Sequence, residues 1–136
     1  LLDKNTYMRL RKDIWHVPPA SAKAIGHPAP YPWQLAENCI RYFGWVGCVV
    51  LDMFAGSGST AVAAIRLDCK SIMIDREPKY CEMIKERAQL ALDDWPYEVT
   101  PRQLNQPLGE TQDGENVFRK PVLSSLLELV TAADAA

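Results

Sequence analysis

The sequence predicts an α/β protein built on a partial parallel sheet, and three observations lead to that prediction. An apolar run, residues 48–52, is followed by a turn with two glycines and then by a helix-forming run at 59–67. A second apolar run, residues 69–75, also ends in an aspartate and leads into an amphipathic stretch, residues 78–92. Because strand, helix and strand joined by short connections form a right-handed parallel unit, the two runs are expected to lie side by side.

Composition limits the protein to one domain or less and excludes several classes. The chain has 136 residues and a net charge of −2, with no long apolar run and no signal-peptide pattern. It begins with Leu1, so we expect a fragment or a processed chain. The four cysteines lack the spacing of a metal site and are interpreted as small core residues in a reducing cytoplasm. The chain has no excess of basic residues that would indicate binding to nucleic acid.

The N-terminal 26 residues carry weak signals. Residues 1–12 hold four basic side chains among a few apolar ones, which predicts a solvated strand or loop; a phosphate-contacting edge is the alternative. Residues 13–17 alternate and predict a short strand, which we interpret as structural. Residues 18–26, with two prolines and a glycine, predict a loop.

A proline-rich segment, His27-Pro28-Ala29-Pro30-Tyr31-Pro32, precedes the next predicted helix. Its three prolines fix φ and prevent a helix, so the segment is stiff and extended. A stiff segment can hold groups against a ligand at little ordering cost, although it also suits a rigid linker. Pro32 fits a first helical position, and Gly44 ends the helix. The apolar positions of this helix share one predicted face: Leu35, Ala36, Cys39, Ile40 and Phe43.

The glycine turn, Gly56-x-Gly58, predicts a small-molecule site at the carboxyl end of the first strand, where we expect several backbone N–H groups to surround one space. With Asp75 about 20 residues on, the pattern fits NAD or S-adenosylmethionine. Asp52 would repel a pyrophosphate but could bind hydroxyls, water or an amine. Phe54 offers an aromatic wall beside the glycines.

Three segments in this order resemble the DNA methyltransferases that modify the exocyclic amine of adenine (N6) or cytosine (N4), in their permuted class. The segments are His27–Pro32, Leu51-Asp-Met-Phe-Ala-Gly-Ser-Gly-Ser-Thr60 and Ile74-Asp-Arg-Glu-Pro-Lys-Tyr80, and the likeness covers about residues 13–92. The resemblance implies a Rossmann-like methyltransferase fold with S-adenosylmethionine as cofactor.

The resemblance also assigns a set of cofactor-binding residues and places the proline segment at the methionine end. Asp75 would accept bonds from both ribose hydroxyls, or would cap the next helix. Arg76 would lie along the adenine, or point to solvent. The predicted cofactor-binding residues are His27, Pro28, Pro30, Pro32, Asp52, Phe54, Ala55, Gly56, Ser57, Gly58, Thr60, Asp75 and Arg76.

The catalytic loop of these enzymes, a polar residue followed by Pro-Pro and an aromatic residue, is missing from the 136 residues. Pro18-Pro19 is flanked by Val17 and Ala20, which lack the required chemistry. In the permuted class the loop precedes the His-Pro segment, so we expect it before Leu1. No catalytic residue is therefore predicted, and double-stranded DNA would be bound by the complete enzyme.

Two parallel strands cannot form an independent sheet, so both would have unpaired edges. We expect the catalytic half in another chain, or self-association, to cover them. The predicted segments are 1–26, a strand or loop belonging to the catalytic half; 27–93, the cofactor-binding core; and 94–136, an irregular arm with a short helix at 122–133. A non-catalytic fragment or accessory subunit and a nicotinamide-dependent protein are the alternatives.

Overall fold

The computed structural model describes residues 2–94 and 127–131, which form a three-stranded parallel sheet with helices packed on one face. The strands are β1 (Val49–Asp52), β2 (Lys70–Asp75) and β3 (Leu127–Thr131). The helices are α1 (Lys4–Leu10), α2 (Ala22–Ile25), α3 (Trp33–Phe43), α4 (Ser59–Arg66) and α5 (Pro78–Asp93).

The sheet has the order β1-β2-β3, with β2 in the centre. Leu51 pairs with Ile72 across β1 and β2, and Ile72 pairs in turn with Glu128 of β3. All pairs are parallel, so the carboxyl ends of the three strands meet at one edge of the sheet. Asp52 and Asp75, the last residues of β1 and β2, both lie at that edge.

Helix α4 forms the centre of the core. Ala61, Ala63, Ala64 and Ile65 have no exposed surface, and every residue from Ser59 to Ile65 is buried. A helix that is apolar on nearly all sides is stable only when covered on nearly all sides. Three alanines allow α3 and α5 to close on α4 from its two flanks while its inner side meets the sheet.

The predicted α/β framework is confirmed at α3, β1, α4, β2 and α5, each within about one residue of the expected bounds. The predicted apolar face of α3 is only partly right. Ala36 and Ile40 are buried, but Leu35 is 39% exposed and Phe43 is 75% exposed. Asn38 takes the third buried position, where its side-chain oxygen accepts a hydrogen bond from Arg9 at 3.2 Å.

The prediction for the N-terminal segment was wrong in three places. Residues 4–10 form α1 and not a strand or loop, because the Asp3 carboxylate accepts hydrogen bonds from the backbone of Asn5 and Thr6 and caps the helix. Residues 13–17 form no strand; Trp15 instead donates to the carbonyl of Leu10. The expected loop at 18–26 contains the one-turn helix α2.

The predicted C-terminal helix at 122–133 was also wrong where the structure describes it. Residues 127–131 form β3, which pairs with β2 along its whole length. The rest of the expected irregular arm lies outside the described residues. With β3 in place, the edge of β2 that was expected to be unpaired is covered.

One edge and one face of the sheet stay open among the described residues. β1 pairs only with β2, and its side chains alternate between the helical layer and solvent. Val49 and Leu51, on the outer face, are each 57% exposed. No helix in the described ranges has the length and apolar character that crossing a membrane requires.

Candidate functional site

The candidate site lies at the carboxyl edge of the sheet, where the connection from β1 to α4 passes the end of β2. Asp52 ends β1, and its register partner is Met73, two residues before Asp75 ends β2. The chain between Met53 and Gly58 turns back into α4 over this edge, and we call residues 53–58 the glycine loop. The parallel register thus brings the two predicted acids to the same loop.

Asp52 is held by three hydrogen bonds. One carboxylate oxygen accepts from the backbone N–H of Phe54 at 3.0 Å. The other accepts from the Thr60 hydroxyl at 2.6 Å and from the Tyr31 hydroxyl at 3.3 Å. The Tyr31 and Thr60 hydroxyls also contact each other, so the acid and two hydroxyls form a closed cluster. Burial, and then the charge of Asp52, raise the pKa of Tyr31, which keeps its proton available for donation.

Asp75 links the two strand ends. One of its oxygens accepts from the backbone N–H of Gly56 at 2.8 Å, and the other accepts from the N–H of Glu77 at 2.9 Å. The second bond closes a turn at the entry to α5, whose N-cap residue is Glu77. It is not the side-chain helix cap that the sequence left open, because an N-cap side chain binds the first turn of the helix. A carboxylate oxygen has two lone pairs, so each retains capacity for a further donor.

The backbone N–H groups of the glycine loop are largely occupied within the protein. Those of Phe54 and Gly56 bind the two aspartates, that of Ala55 binds the Ile74 carbonyl at 3.0 Å, and that of Gly58 binds the Ala55 carbonyl at 2.8 Å. The expectation that several loop N–H groups surround a ligand space was therefore wrong for these four. The two acids leave this edge rich in acceptors.

The two glycines of the loop are required by close neighbours. Gly56 has φ +50°, and a Cβ placed there would lie 3.1 Å from the His27 ring. Gly58 has φ +76°, and a Cβ would lie 3.0 Å from a side-chain carbon of Ile84 and 3.2 Å from its Cα. The positive φ angles alone favour glycine. The loop is thus seated between the proline segment and α5.

The proline segment closes one side of the site. The His27 ring lies against Gly56 and contacts the Tyr80 ring at a centroid distance of 4.6 Å. Its Nδ1 accepts from the backbone N–H of Ala29 at 3.2 Å. Of the three prolines, Pro28 is exposed and Pro30 and Pro32 are half-buried; Pro32 is the N-cap of α3 and not its first residue.

The other predicted residues are either exposed at the rim of the site or buried beneath the glycine loop. Phe54 is 86% exposed, and the Arg76 side chain is also 86% exposed beside Glu77, with a nitrogen–oxygen distance of 3.4 Å. Both side chains are exposed to solvent at the rim of the site. Ala55 and Ser57 are buried, and they support the loop from within.

Three residues near the site were missed by the sequence analysis. The Tyr31 hydroxyl lies in the cluster around Asp52. The backbone carbonyl of Tyr31 accepts a hydrogen bond from the Ser59 hydroxyl at 2.6 Å. Arg87 of α5 donates to the Ser57 carbonyl. Tyr31 lies within a segment already singled out, so its hydroxyl could have been noticed. Nothing local marks Ser59 or Arg87, whose partners lie 28 and 30 residues away.

Only part of the cysteine prediction is right. Cys69 and Cys81 are buried, and the Cys81 thiol donates to the Asp75 carbonyl at 3.8 Å, but Cys39 is exposed and is not a core residue. Cys48 and Cys69 face each other at the amino ends of β1 and β2, with 3.5 Å between their sulfur atoms. Burial, reinforced by Cys48, raises the pKa of the Cys69 thiol to about 12, so it stays protonated. The described residues contain no cluster of three or more His, Cys, Asp or Glu side chains that could bind a metal ion.

A glycine loop lies between two parallel strands that each end in an acid, and a stiff proline segment flanks it. This arrangement is typical of one class of protein. The fold is the Rossmann-like fold of the S-adenosylmethionine-dependent methyltransferases. A family model described as DNA methylase, of the N6/N4 type, matches residues 3–86, well over half of the chain. The chain belongs to this DNA methylase family.

Individual relatives and solved structures agree with this assignment. The chain is 36% identical over 78 residues to the type II methyltransferase M.BglI of Bacillus subtilis, covering 57% of this chain and 22% of the relative. It is 32% identical over 104 residues to the type II methyltransferase M2.MboI of Moraxella bovis, covering 74% of this chain and 35% of the relative.

The structural comparison is with a candidate DNA modification methylase of Thermus thermophilus. One crystal structure of it superposes with a TM-score of 0.59 at 35% identity, covering 70% of this chain and 38% of the other. A second, complexed with S-adenosyl-L-methionine, gives a TM-score of 0.57 at 33% identity, covering 70% and 36%. The chain thus spans between about a fifth and two fifths of the length of these proteins.

Proposed function

We propose that this chain is the cofactor-binding part of a DNA methyltransferase, which transfers a methyl group from S-adenosylmethionine to the exocyclic amine of adenine or cytosine. Membership in the DNA methylase family supports the reaction class. A related structure that holds S-adenosyl-L-methionine supports the cofactor. As an enzyme acting on DNA, the protein is expected in the cytoplasm.

The observation that carries the proposal is the excess of acceptors at the carboxyl edge. Asp52 and Asp75 both end on the glycine loop, whose own N–H groups at Phe54, Ala55, Gly56 and Gly58 are satisfied internally. Such an edge suits a ligand that brings hydroxyl donors and positive charge. S-adenosylmethionine has two ribose hydroxyls, an ammonium group and a sulfonium, whereas NAD brings a pyrophosphate that needs donors.

The cofactor is placed by the two acids and the exposed rim. Asp75 accepts from the ribose hydroxyls through its remaining lone pairs, and Phe54 stacks on the adenine. Arg76 lies at the outer end of the same edge. The proline segment, with His27 against Gly56, closes the methionine end. The amine of the base is the nucleophile, and the thioether product is the leaving group. Because no nucleophile of the protein is required, its contribution to the rate is orientation of the methyl group.

Titration calorimetry of the 136-residue chain tests the cofactor directly. S-adenosylmethionine and its demethylated product should bind, and NAD should not. Binding of NAD without binding of S-adenosylmethionine would overturn the proposal.

Phe54→Ala tests the placement of the adenine. The ring is 86% exposed, so its removal should leave the fold intact. Stacking of a base on an aromatic ring contributes about 1–3 kcal/mol, so affinity for S-adenosylmethionine should fall roughly 5- to 150-fold. Leu90→Ala is the matched control, because Leu90 is 63% exposed on α5. Equal affinities of the two variants would contradict the stacking role.

The open edge and face of the sheet support a proposal about what completes the enzyme. β1 has one open edge among the described residues, and its outer face exposes Val49 and Leu51. Parallel sheets are stable when both faces are covered. We propose that further polypeptide carrying the catalytic loop pairs with β1 and covers this face, as part of the same protein or as a separate chain; double-stranded DNA is then bound by the complete assembly.

A second candidate function is a non-catalytic methylase fragment or accessory subunit. The sequence favours it in one respect, since no Pro-Pro-aromatic loop is present in the 136 residues. Incubation with DNA and methyl-labelled S-adenosylmethionine separates the cases. We expect the chain alone to transfer no methyl group. Transfer should occur only when the catalytic part is also present. Transfer by the chain alone would contradict our placement of the catalytic loop elsewhere.

A further inference from the structure

Arg87 occupies an unusual position for a cation. It lies on α5, where the sequence suggests a solvated helix face, yet it is half-buried and one of its terminal nitrogens donates to the Ser57 carbonyl of the glycine loop. Within the ranges 2–94 and 127–131, no carboxylate forms an ion pair with it. Burial lowers the pKa of Arg87, which reflects the cost of holding this charge away from water without an acid.

A small cleft opens onto this guanidinium. Its volume is about 200 Å³, and its walls include Pro18, Ile25, Tyr31, Trp33 and Gln34. Sites for whole small molecules measure about 300–1,000 Å³, so this cleft fits one end of a ligand and not a complete nucleoside. Apart from Arg87, no residue that lines the cleft carries a formal charge.

Tyr31 connects the cleft with the candidate cofactor site. Its side chain lines the cleft, while its hydroxyl lies 3.3 Å from an Asp52 carboxylate oxygen. The glycine loop is therefore held at two points only three residues apart: the Asp52 carboxylate accepts from the N–H of Phe54, and the Arg87 guanidinium donates to the carbonyl of Ser57. A cation and an anion on either side of Tyr31 match a ligand group that carries both charges, such as the α-amino-acid end of S-adenosylmethionine.

We propose that Arg87 binds the α-carboxylate of the cofactor from the cleft, while Asp52 faces the α-ammonium group. This inference rests on the proposed function. A guanidinium has five N–H donors in a planar fork, and one is used by Ser57. The others can bind both oxygens of a carboxylate, which is the strongest common arrangement for this pair. Arg87 thus supplies a positive charge at the cleft, whereas Asp52 and Asp75 supply only acceptors.

Calorimetry with two ligands separates binding of the carboxylate from support of the loop. S-adenosylmethionine carries the carboxylate, whereas 5′-methylthioadenosine keeps the nucleoside and sulfur and lacks the amino-acid end. A charged hydrogen bond contributes about 1.5–3 kcal/mol, so Arg87→Met should weaken S-adenosylmethionine roughly 10- to 150-fold. Its affinity for methylthioadenosine should stay within about twofold. Lys85→Met, which removes another cation of α5, should change neither affinity.

A third ligand tests the proposal on the unmodified chain, in case Arg87→Met fails to fold. Decarboxylated S-adenosylmethionine keeps the sulfonium and the ammonium, and it should bind at least about tenfold more weakly than the complete cofactor if a charged bond to the carboxylate is lost. Equal binding of the two would overturn the inference.

The remaining outcomes are also decisive. Equal weakening of S-adenosylmethionine and methylthioadenosine in Arg87→Met would assign Arg87 to loop support alone and overturn the inference. Unchanged affinity for both would overturn it as well. If the unmodified chain bound neither ligand, the proposed function itself would fail; binding of methylthioadenosine with no gain from the amino-acid end would refute only the role of Arg87.

Discussion

At the scale of single residues, the glycine loop shows how steric demands and ligand chemistry share the same positions. A dinucleotide-type pattern suggests that glycines admit a ligand to the backbone. Here the space beside Gly56 is filled by His27 and the space beside Gly58 by Ile84. The glycines therefore serve the packing of the proline segment and of α5, and the packing in turn fixes Asp52 and Asp75 relative to each other through the loop.

Gly58→Ala tests this steric role against a matched control. Gly47 has a φ of +78°, nearly the same as the +76° of Gly58, but a Cβ at Gly47 would meet nothing within 4 Å. Gly47→Ala should cost only the left-handed strain of about 1–2 kcal/mol. Gly58→Ala should cost about 1–3 kcal/mol more, because the Ile84 backbone must move. Urea unfolding measures both; equal losses of stability would contradict the clash with Ile84.

Asp68 offers a stabilising substitution with a pH signature. Among the described residues it is the one non-glycine residue with a positive φ, +54°, and burial raises the pKa of its carboxyl above 3.8. A raised pKa means that the protonated form is favoured in the fold. Its stabilising contribution is complete below pH 3.8 and is lost as the pH rises through the folded-state pKa.

Asp68→Asn should therefore stabilise the protein at neutral pH. Asparagine is uncharged at every pH and accepts the left-handed region. Because water screens a half-exposed carboxylate, the gain in the free energy of unfolding should be no more than about 0.5 kcal/mol at about pH 7. It should shrink towards zero below pH 3.8. Urea unfolding across this range measures it, with the exposed Asp13→Asn as control. A gain that grew on acidification would refute the argument.

At the scale of elements, the sequence predicts those whose signals are local. In the unit from β1 to α5, the residues that begin and end each element are visible in the sequence: Gly47 and Gly56 bound the first strand, and Pro78 begins the last helix. β3 could not be predicted in the same way, since Leu-Glu-Leu-Val also fits a helix turn. Its conformation is set by the free edge of β2, which is a tertiary effect.

The candidate site shows the same division between local and distant information. Its acids and glycines follow from strand ends and turns, so the sequence places them correctly. Tyr31, Ser59 and Arg87 join the site through partners 21 to 30 residues away. On α5, Arg87 has the same local signal as the solvated charges around it. Only the packing of α5 on the loop distinguishes it.

Helix α4 should be the element most sensitive to lost volume. Ile65 has no exposed surface and contacts both α5 and the rest of the core. Ile65→Val removes one methyl group and should cost about 0.5–1.5 kcal/mol. Ile14→Val makes the same change at a side chain that is 71% exposed and should cost almost nothing. Thermal or urea unfolding compares the two, and similar costs would contradict the central position of α4.

At the scale of the whole molecule, the helices protect only one side of the sheet. Val50, Met73 and Leu127 pack towards the helical layer, whereas Val49 and Leu51 are 57% exposed on the opposite face. β1 also has no partner on its outer side within the described residues. An open edge beside an apolar face attracts another strand or another molecule. The chain is therefore expected to be incomplete by itself.

This incompleteness predicts association that depends on the outer face of β1. The isolated chain should sediment above its monomer mass of 15.3 kDa at micromolar concentration. Val49→Lys with Leu51→Lys should return it towards the monomer, because charges on an edge strand oppose pairing and desolvation. Leu90→Lys, at a side chain 63% exposed on α5, should leave association unchanged. If the unmodified chain is a stable monomer, or if Leu90→Lys dissociates it equally well, the open face of β1 is not the surface that requires a partner.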